Sequence, residues 1–168
     1  GEDFTAYGLF ERGRRGYRRI ADDVGTVLRQ DPVTGVVWFN ALVYKAAERR
    51  GQFELFRLNE RGKPEQVLSG TRVRAFDVHD GRIVFASYRS GRSRLEAYDT
   101  RDGSRQELYE LPPDAAVYSL AFLDEGAEIM ATVGDGSRIR LFRYGAEGLL
   151  ELWPDIDADI VDALAVGE

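Results

Sequence analysis

The chain has one histidine, His79, in the run Asp77-Val78-His79-Asp80-Gly81. An imidazole between two carboxylates is a pattern for a general base or a metal ligand. It lies beside Asp80-Gly81, however, a turn-forming dipeptide, so His79 reads as an exposed turn residue. A His-dependent triad also needs a nucleophile, and no Gly-x-Ser-x-Gly elbow occurs. The carboxylates Asp155, Asp157, Asp159 and Asp162 offer hard oxygen ligands, as the start of a calcium loop does. The glycine that such a loop needs at its sixth position is Ile160, and the glutamate at its twelfth is Val166. A solvated connection is the expectation there.

Arg12, Arg14, Arg15, Arg18 and Arg19 surround Tyr17, and arginines forked around an aromatic suit phosphate or nucleic acid. The same run fits a hairpin turn and an edge strand, where charge blocks unwanted strand pairing. Gly134-Asp135-Gly136-Ser137 lacks the lysine and the following helix of a phosphate loop, and reads as a turn. No catalytic residue, metal site or cofactor is therefore expected within the chain.

Composition narrows the classes further. Of 168 residues, 29 are acidic and 23 are Lys or Arg, for a net charge of −6. That balance leaves no electrostatic footprint for nucleic acid or an anionic membrane. With no cysteine, neither a disulfide framework nor a Cys-ligated zinc site is available. No apolar run approaches the roughly 20 residues of a membrane helix. The compartment stays open.

The elements that would position any site follow from the turn glycines. Gly35, Gly81 and Gly126 lie 46 and 45 residues apart, each ahead of a β-branched, apolar run. From Gly81, further turns follow at Gly91 and Gly103, and the same steps of 10 and 12 lead from Gly126 to Gly136 and Gly148. Several short strands per period of roughly 40 to 45 residues predict an all-β fold, a β-propeller of four-stranded antiparallel blades. The reading has a partial blade over 1–25, blades over 26–70, 71–115 and 116–154, and an inner strand within 155–168. That makes three full blades and partial terminal ones.

Within the third repeat, Thr71–Val78, Arg82–Tyr88, Ser93–Asp99 and Ser104–Leu111 are predicted strands, with Ile83-Val84-Phe85 buried on both faces. Trp38, Phe39, Phe85, Phe122 and Phe142 are expected to pack between blades. The ends fall out of phase. Glu11-Arg12-Gly13 parallels Glu60-Arg61-Gly62, so the chain begins at a third strand, while Ile160–Val166 looks like an inner strand alone. Either that strand completes the first half-blade of a four-bladed ring, or the chain is part of a larger propeller. An open arc leaves terminal blade faces unburied and invites association, which favours the second.

Arg82–Leu108 resembles the repeat of TolB-type propellers, with Ser87, Arg89, Gly91, Tyr98, Asp99, Asp102 and Gly103 at matching positions. Val117–Phe142 is similar to a WD-repeat variant, with Phe142-Arg143 where Trp-Asp would stand. The resemblance implies a scaffold or protein-binding module, or an accessory domain gating substrate for a larger hydrolase of prolyl-oligopeptidase type. It favours an exported location. Partners would be another protein or the remainder of the propeller, with self-association through terminal blades as a further route. Blade-connecting loops are then the candidate binding residues: Gly70, Thr71 and Arg72; Pro112, Pro113 and Asp114; and Asp155, Asp157 and Asp159.

Overall fold

Asp80 (φ 48°) and Gly81 (φ 72°) both adopt left-handed backbone, the type I′ geometry whose twist matches the strands it joins. They close a hairpin in which His79 faces Arg82. Ser90 (φ 53°) and Gly91 (φ 80°) repeat the device where Arg89 faces Arg92. A Cβ on Gly81 would lie 2.7 Å from Thr100 Oγ1, so any larger residue in this turn is strained.

A computed structural model of the chain describes residues 7–45, 50–152 and 154. These hold the strands β1 (Tyr7–Gly13), β2 (Gly16–Gln30), β3 (Val37–Lys45), β4 (Arg50–Leu58), β5 (Pro64–Gln66), β6 (Phe76–His79) and β7 (Arg82–Arg89). After them come β8 (Arg92–Asp99), β9 (Arg105–Glu110), β10 (Ala116–Leu123), β11 (Glu128–Gly134), β12 (Ile139–Gly145) and β13 (Gly148–Glu151). They form three antiparallel sheets in sequential order: β1 to β5, β6 to β9, and β10 to β13. The described chain divides into two compact units. One is built on β1–β5, the other on β6–β13 with the Asp31–Thr34 turn.

The first sheet departs from the sequence reading, which separated a partial blade over 1–25 from a blade over 26–70. Gly16–Gln30 is one strand. Its first half pairs with β1 and its second with β3, and Val24 faces both Tyr7 and Ala41. Asp23 (φ 54°) turns the strand at the handover, and the register to β3 shifts between Val24 and Leu28. Gly25 makes no turn: a Cβ there would sit 2.5 Å from Asn40 Oδ1, so the glycine admits a buried side chain. Val24, Phe39 and Ala41 form the core of this sheet, with Phe39 and Phe56 stacked at 5.7 Å.

The second unit has a more extensive core. Ile83, Val84 and Phe85 are consecutive, point alternately to opposite faces of β7, and are each fully buried. Val84, Ala86 and Leu95 pack with Leu120, Ala131 and Val133, so the β6–β9 and β10–β13 sheets share one core. Burying each such Val, Leu or Ile contributes about 1.5–3 kcal/mol. The predicted strand Thr71–Val78 is shorter in the ladder, which begins at Phe76, and Arg72 (φ 51°) breaks the extended run upstream of it. The predicted inner strand Ile160–Val166 lies outside the described residues.

Candidate functional site

His79 ends β6 half-buried, with its ring 6.4 Å from Phe122 in an edge-on arrangement and its Nδ1 beside Gly126. Its flanking carboxylates do not converge on it. Asp77 accepts the Phe122 N–H at 2.7 Å, and Asp80 lies 3.6 Å from Arg101. The three groups therefore form no acid–base constellation.

Other carboxylates are engaged in the same way. Asp31, 1% exposed, accepts N–H groups from Gly81 at 2.8 Å, Asp80 at 3.0 Å and Val33 at 3.0 Å. Burial pushes its pKa up, but the Gly81 N–H, the Thr34 hydroxyl and the N–H groups of Val33 and Thr34 outweigh that and hold it below the usual carboxylate value. Glu96 behaves alike. Burial raises it, yet Arg105, at 2.5 Å, and the Ser87 hydroxyl bring it below the ordinary range. In the Gly134–Ser137 turn, Ser137 donates from Oγ at 2.6 Å and from its N–H to Asp135, lowering that carboxylate to about 2. A general acid at neutral pH needs a raised carboxylate, and these are depressed. Among the described residues, no group of three or more His, Cys, Asp or Glu side chains could hold a metal ion.

The loop residues singled out in the sequence have separate settings. Gly70 and Thr71 belong to the first unit, where Glu54 clamps them. Its carboxylate accepts the Gly70 N–H at 2.7 Å, the Thr71 N–H at 3.2 Å and the Thr71 hydroxyl at 2.8 Å. Arg72 reaches the same cluster through Gln52 at 3.3 Å. Asp155, Asp157 and Asp159 lie outside the described residues.

Pro112, Pro113 and Asp114 lie in the connection from β9 to β10 in the second unit. Leu111 anchors it by donating to Ser93 O at 3.0 Å, and the Ala115 N–H closes it on Pro112 O at 3.2 Å. Asp114, exposed, adopts left-handed backbone (φ 67°) at the tip. Pro112 and Pro113 line a groove of about 260 Å³ whose walls come from both sheets of this unit. Tyr109, Leu111 and Ala115 line it from β9 and the connection, and Val133, Phe142 and Leu149 from the β10–β13 sheet, with Asp135, Arg138 and Arg140 also at the groove. Arg140 pairs with Glu151 at 2.5 Å. Proline rings have little freedom to move, which keeps this part of the lining rigid. A larger depression of about 450 Å³ lies at the β4–β5 turn. Val36 and Leu58 line it together with Arg57, Asn59, Glu60, Arg61 and Glu65, and Arg57 and Glu65 already pair at 2.8 Å.

Sequence reasoning missed Glu54, Asp31 and the far wall of the groove. Asp31 had a visible signal: it stands four residues before Gly35, as Asp77 stands four before Gly81. The groove had none, since Tyr109 and Phe142 are 33 residues apart.

No family model matches the sequence, and no curated protein matches it. Solved structures do match. A TolB from Agrobacterium tumefaciens superimposes with a TM-score of 0.63 at 11% identity, over 84% of this chain and 52% of that one. The fold is that of β-propeller blades. A chain of a nidogen/laminin complex gives 0.58 at 12% identity, covering 85% and 55%. A prolyl endopeptidase gives 0.53 at 12%, covering 84% of this chain and 24% of that one. The propeller blades described here thus span about half the length of the TolB and nidogen/laminin chains. At such identities the likeness carries the fold, and the site must be argued from its own residues.

Proposed function

We propose that this chain is a non-catalytic, protein-binding propeller module, and that the groove at Pro112-Pro113 receives an extended apolar peptide segment. The observation that carries this reading is the groove's make-up. Aromatic, prolyl and aliphatic side chains from two blades line one cleft. Extended peptides dock in aromatic-lined grooves of this kind, as Pro-rich ligands do in several small domains. Size supports the choice. At about 260 Å³ the groove falls below the roughly 300–1,000 Å³ of sites that enclose a drug-sized ligand or cofactor. It suits one or two side chains of a longer segment.

A second reading, an accessory domain gating substrate for a larger hydrolase, draws support from the likeness to the prolyl endopeptidase structure. A catalytic domain elsewhere in the same polypeptide would favour it. The first reading is tested by selecting a displayed library of short random peptides on the immobilised chain. Enriched peptides should lose affinity about tenfold on Tyr109→Ala or Leu149→Ala, the loss of one good contact, and keep it on Arg61→Ala. Failure to enrich any peptide, or enrichment indifferent to the groove variants, would contradict it.

A further inference from the structure

The basic hairpin shares no residue with the groove and suggests a second surface. Residues Phe10 to Arg19, at the end of β1 and the start of β2, are all exposed. They hold five arginines and one carboxylate, a net +4 on a chain of net −6, so the remainder carries −10. Directly opposed residues share a face of a two-stranded ribbon, so Phe10 with Arg19 and Arg12 with Tyr17 make one chequered aromatic and arginine face. Arg19 lies 5.9 Å over the Phe10 ring, while Tyr17 is 73% exposed. Arg18 is engaged by Glu11 at 2.7 Å and Arg19 by Asp22. Arg12, Arg14 and Arg15 have no ion pair among the described residues.

The ribbon also has a backbone edge. β1 is the outermost strand of its sheet and pairs only with β2 among the described residues. Among the described residues its other side is unpaired, with alternating main-chain donors and acceptors; a peptide strand can pair both, whereas phosphates can only accept from the donors. We propose that the β1 edge and the arginine face beside it form a docking surface for an acidic polypeptide segment that adds as an extended strand. Alternate side chains of such a strand repeat at roughly 6.6–6.8 Å, matching the two-residue steps from Phe10 to Arg12 and from Tyr17 to Arg19.

Charge chooses between occupants. A nucleic-acid strand carries a phosphate every 3.4 Å or so and would run from the ribbon onto surface whose net charge is negative. An acidic segment of a few residues ends where the arginines end. A second copy of the same ribbon is repelled, since like charges would lie across the new ladder.

The test is fluorescence anisotropy of the chain with a labelled octapeptide alternating Glu and Val. Binding should weaken about tenfold between low and moderate salt, and by a similar factor when the peptide's glutamates become glutamines. The variant Arg12→Ser/Arg14→Ser/Arg15→Ser should lose about tenfold or more, and the variant with Lys at the same positions should retain most of the affinity. Thermal transitions matching the parent's show that both variants are folded. An octapeptide N-methylated on alternate amides keeps its charge but cannot pair along one edge, and should lose binding. Equal binding of the methylated peptide, or tighter binding of an oligothymidine, would overturn the proposal. So would a salt-sensitive dimer, seen by light scattering, that excludes the peptide.

Discussion

Glu54 and Leu55 are neighbours on β4, point to opposite faces and are each 0% exposed. A carboxylate so placed is costly unless every lone pair is engaged. Here the backbone of Gly70 and Thr71, the Thr71 hydroxyl and the Gln52 amide engage it. Glu54→Ala should therefore cost about 3 kcal/mol in urea unfolding, because four donors lose their acceptor together. Glu54→Gln should cost about half as much, since one acceptor oxygen remains. Asp31 gives a pH signature. Its folded-state pKa lies below the unfolded value of 3.8, so its stabilisation is present above that value and is lost as pH falls through the folded one. The stability gap between the parent chain and Asp31→Asn should be widest near neutrality and close below pH 4 or so, read by denaturation at a series of pH values. Asp31 shared its spacing to a turn glycine with Asp77, whereas Glu54 carried no such signal. Glu54 sits in a strand whose alternation alone would assign it to solvent, and only burial of both faces of β4 makes it structural.

Elements were more legible than single residues. The Asp-Gly and Ser-Gly pairs demand left-handed backbone at fixed offsets, and that requirement is local, so the hairpins of β6 to β8 could be placed from composition alone. Gly81→Ala should cost about 2 kcal/mol in thermal or urea unfolding, through strain at φ 72° and the approach of Thr100 Oγ1. Where a glycine serves a tertiary need, the local rule misleads. Gly25 looks like punctuation between blades, yet it lies within β2 and makes room for Asn40. The basic run was legible as a hairpin, but not as the first two strands of a five-stranded sheet in which β1 is outermost. What sequence could not supply was its pairing, which gathers Phe10, Arg12, Tyr17 and Arg19 on one face and underlies the acidic-strand experiment.

At the scale of the whole molecule, the repeat of glycines 46 and 45 residues apart carries the architecture, because each blade needs the same turns at the same offsets. Function has no such periodicity. Blades of this fold occur in a TolB, a nidogen/laminin complex and a prolyl endopeptidase, so the fold leaves the task open. What distinguishes this chain is where it departs from its own repeat: two prolines between β9 and β10, and five arginines in one ribbon. The first of these bears the central claim. It is tested most directly by titrating the isotopically labelled chain with the best selected peptide and following its backbone amides by NMR. The expected result is saturable shifts concentrated at Tyr109, Leu111, Ala115, Val133, Phe142 and Leu149. Shifts centred instead on Asn59 to Arg61 at the β4–β5 turn, or spread evenly over the chain, would contradict it.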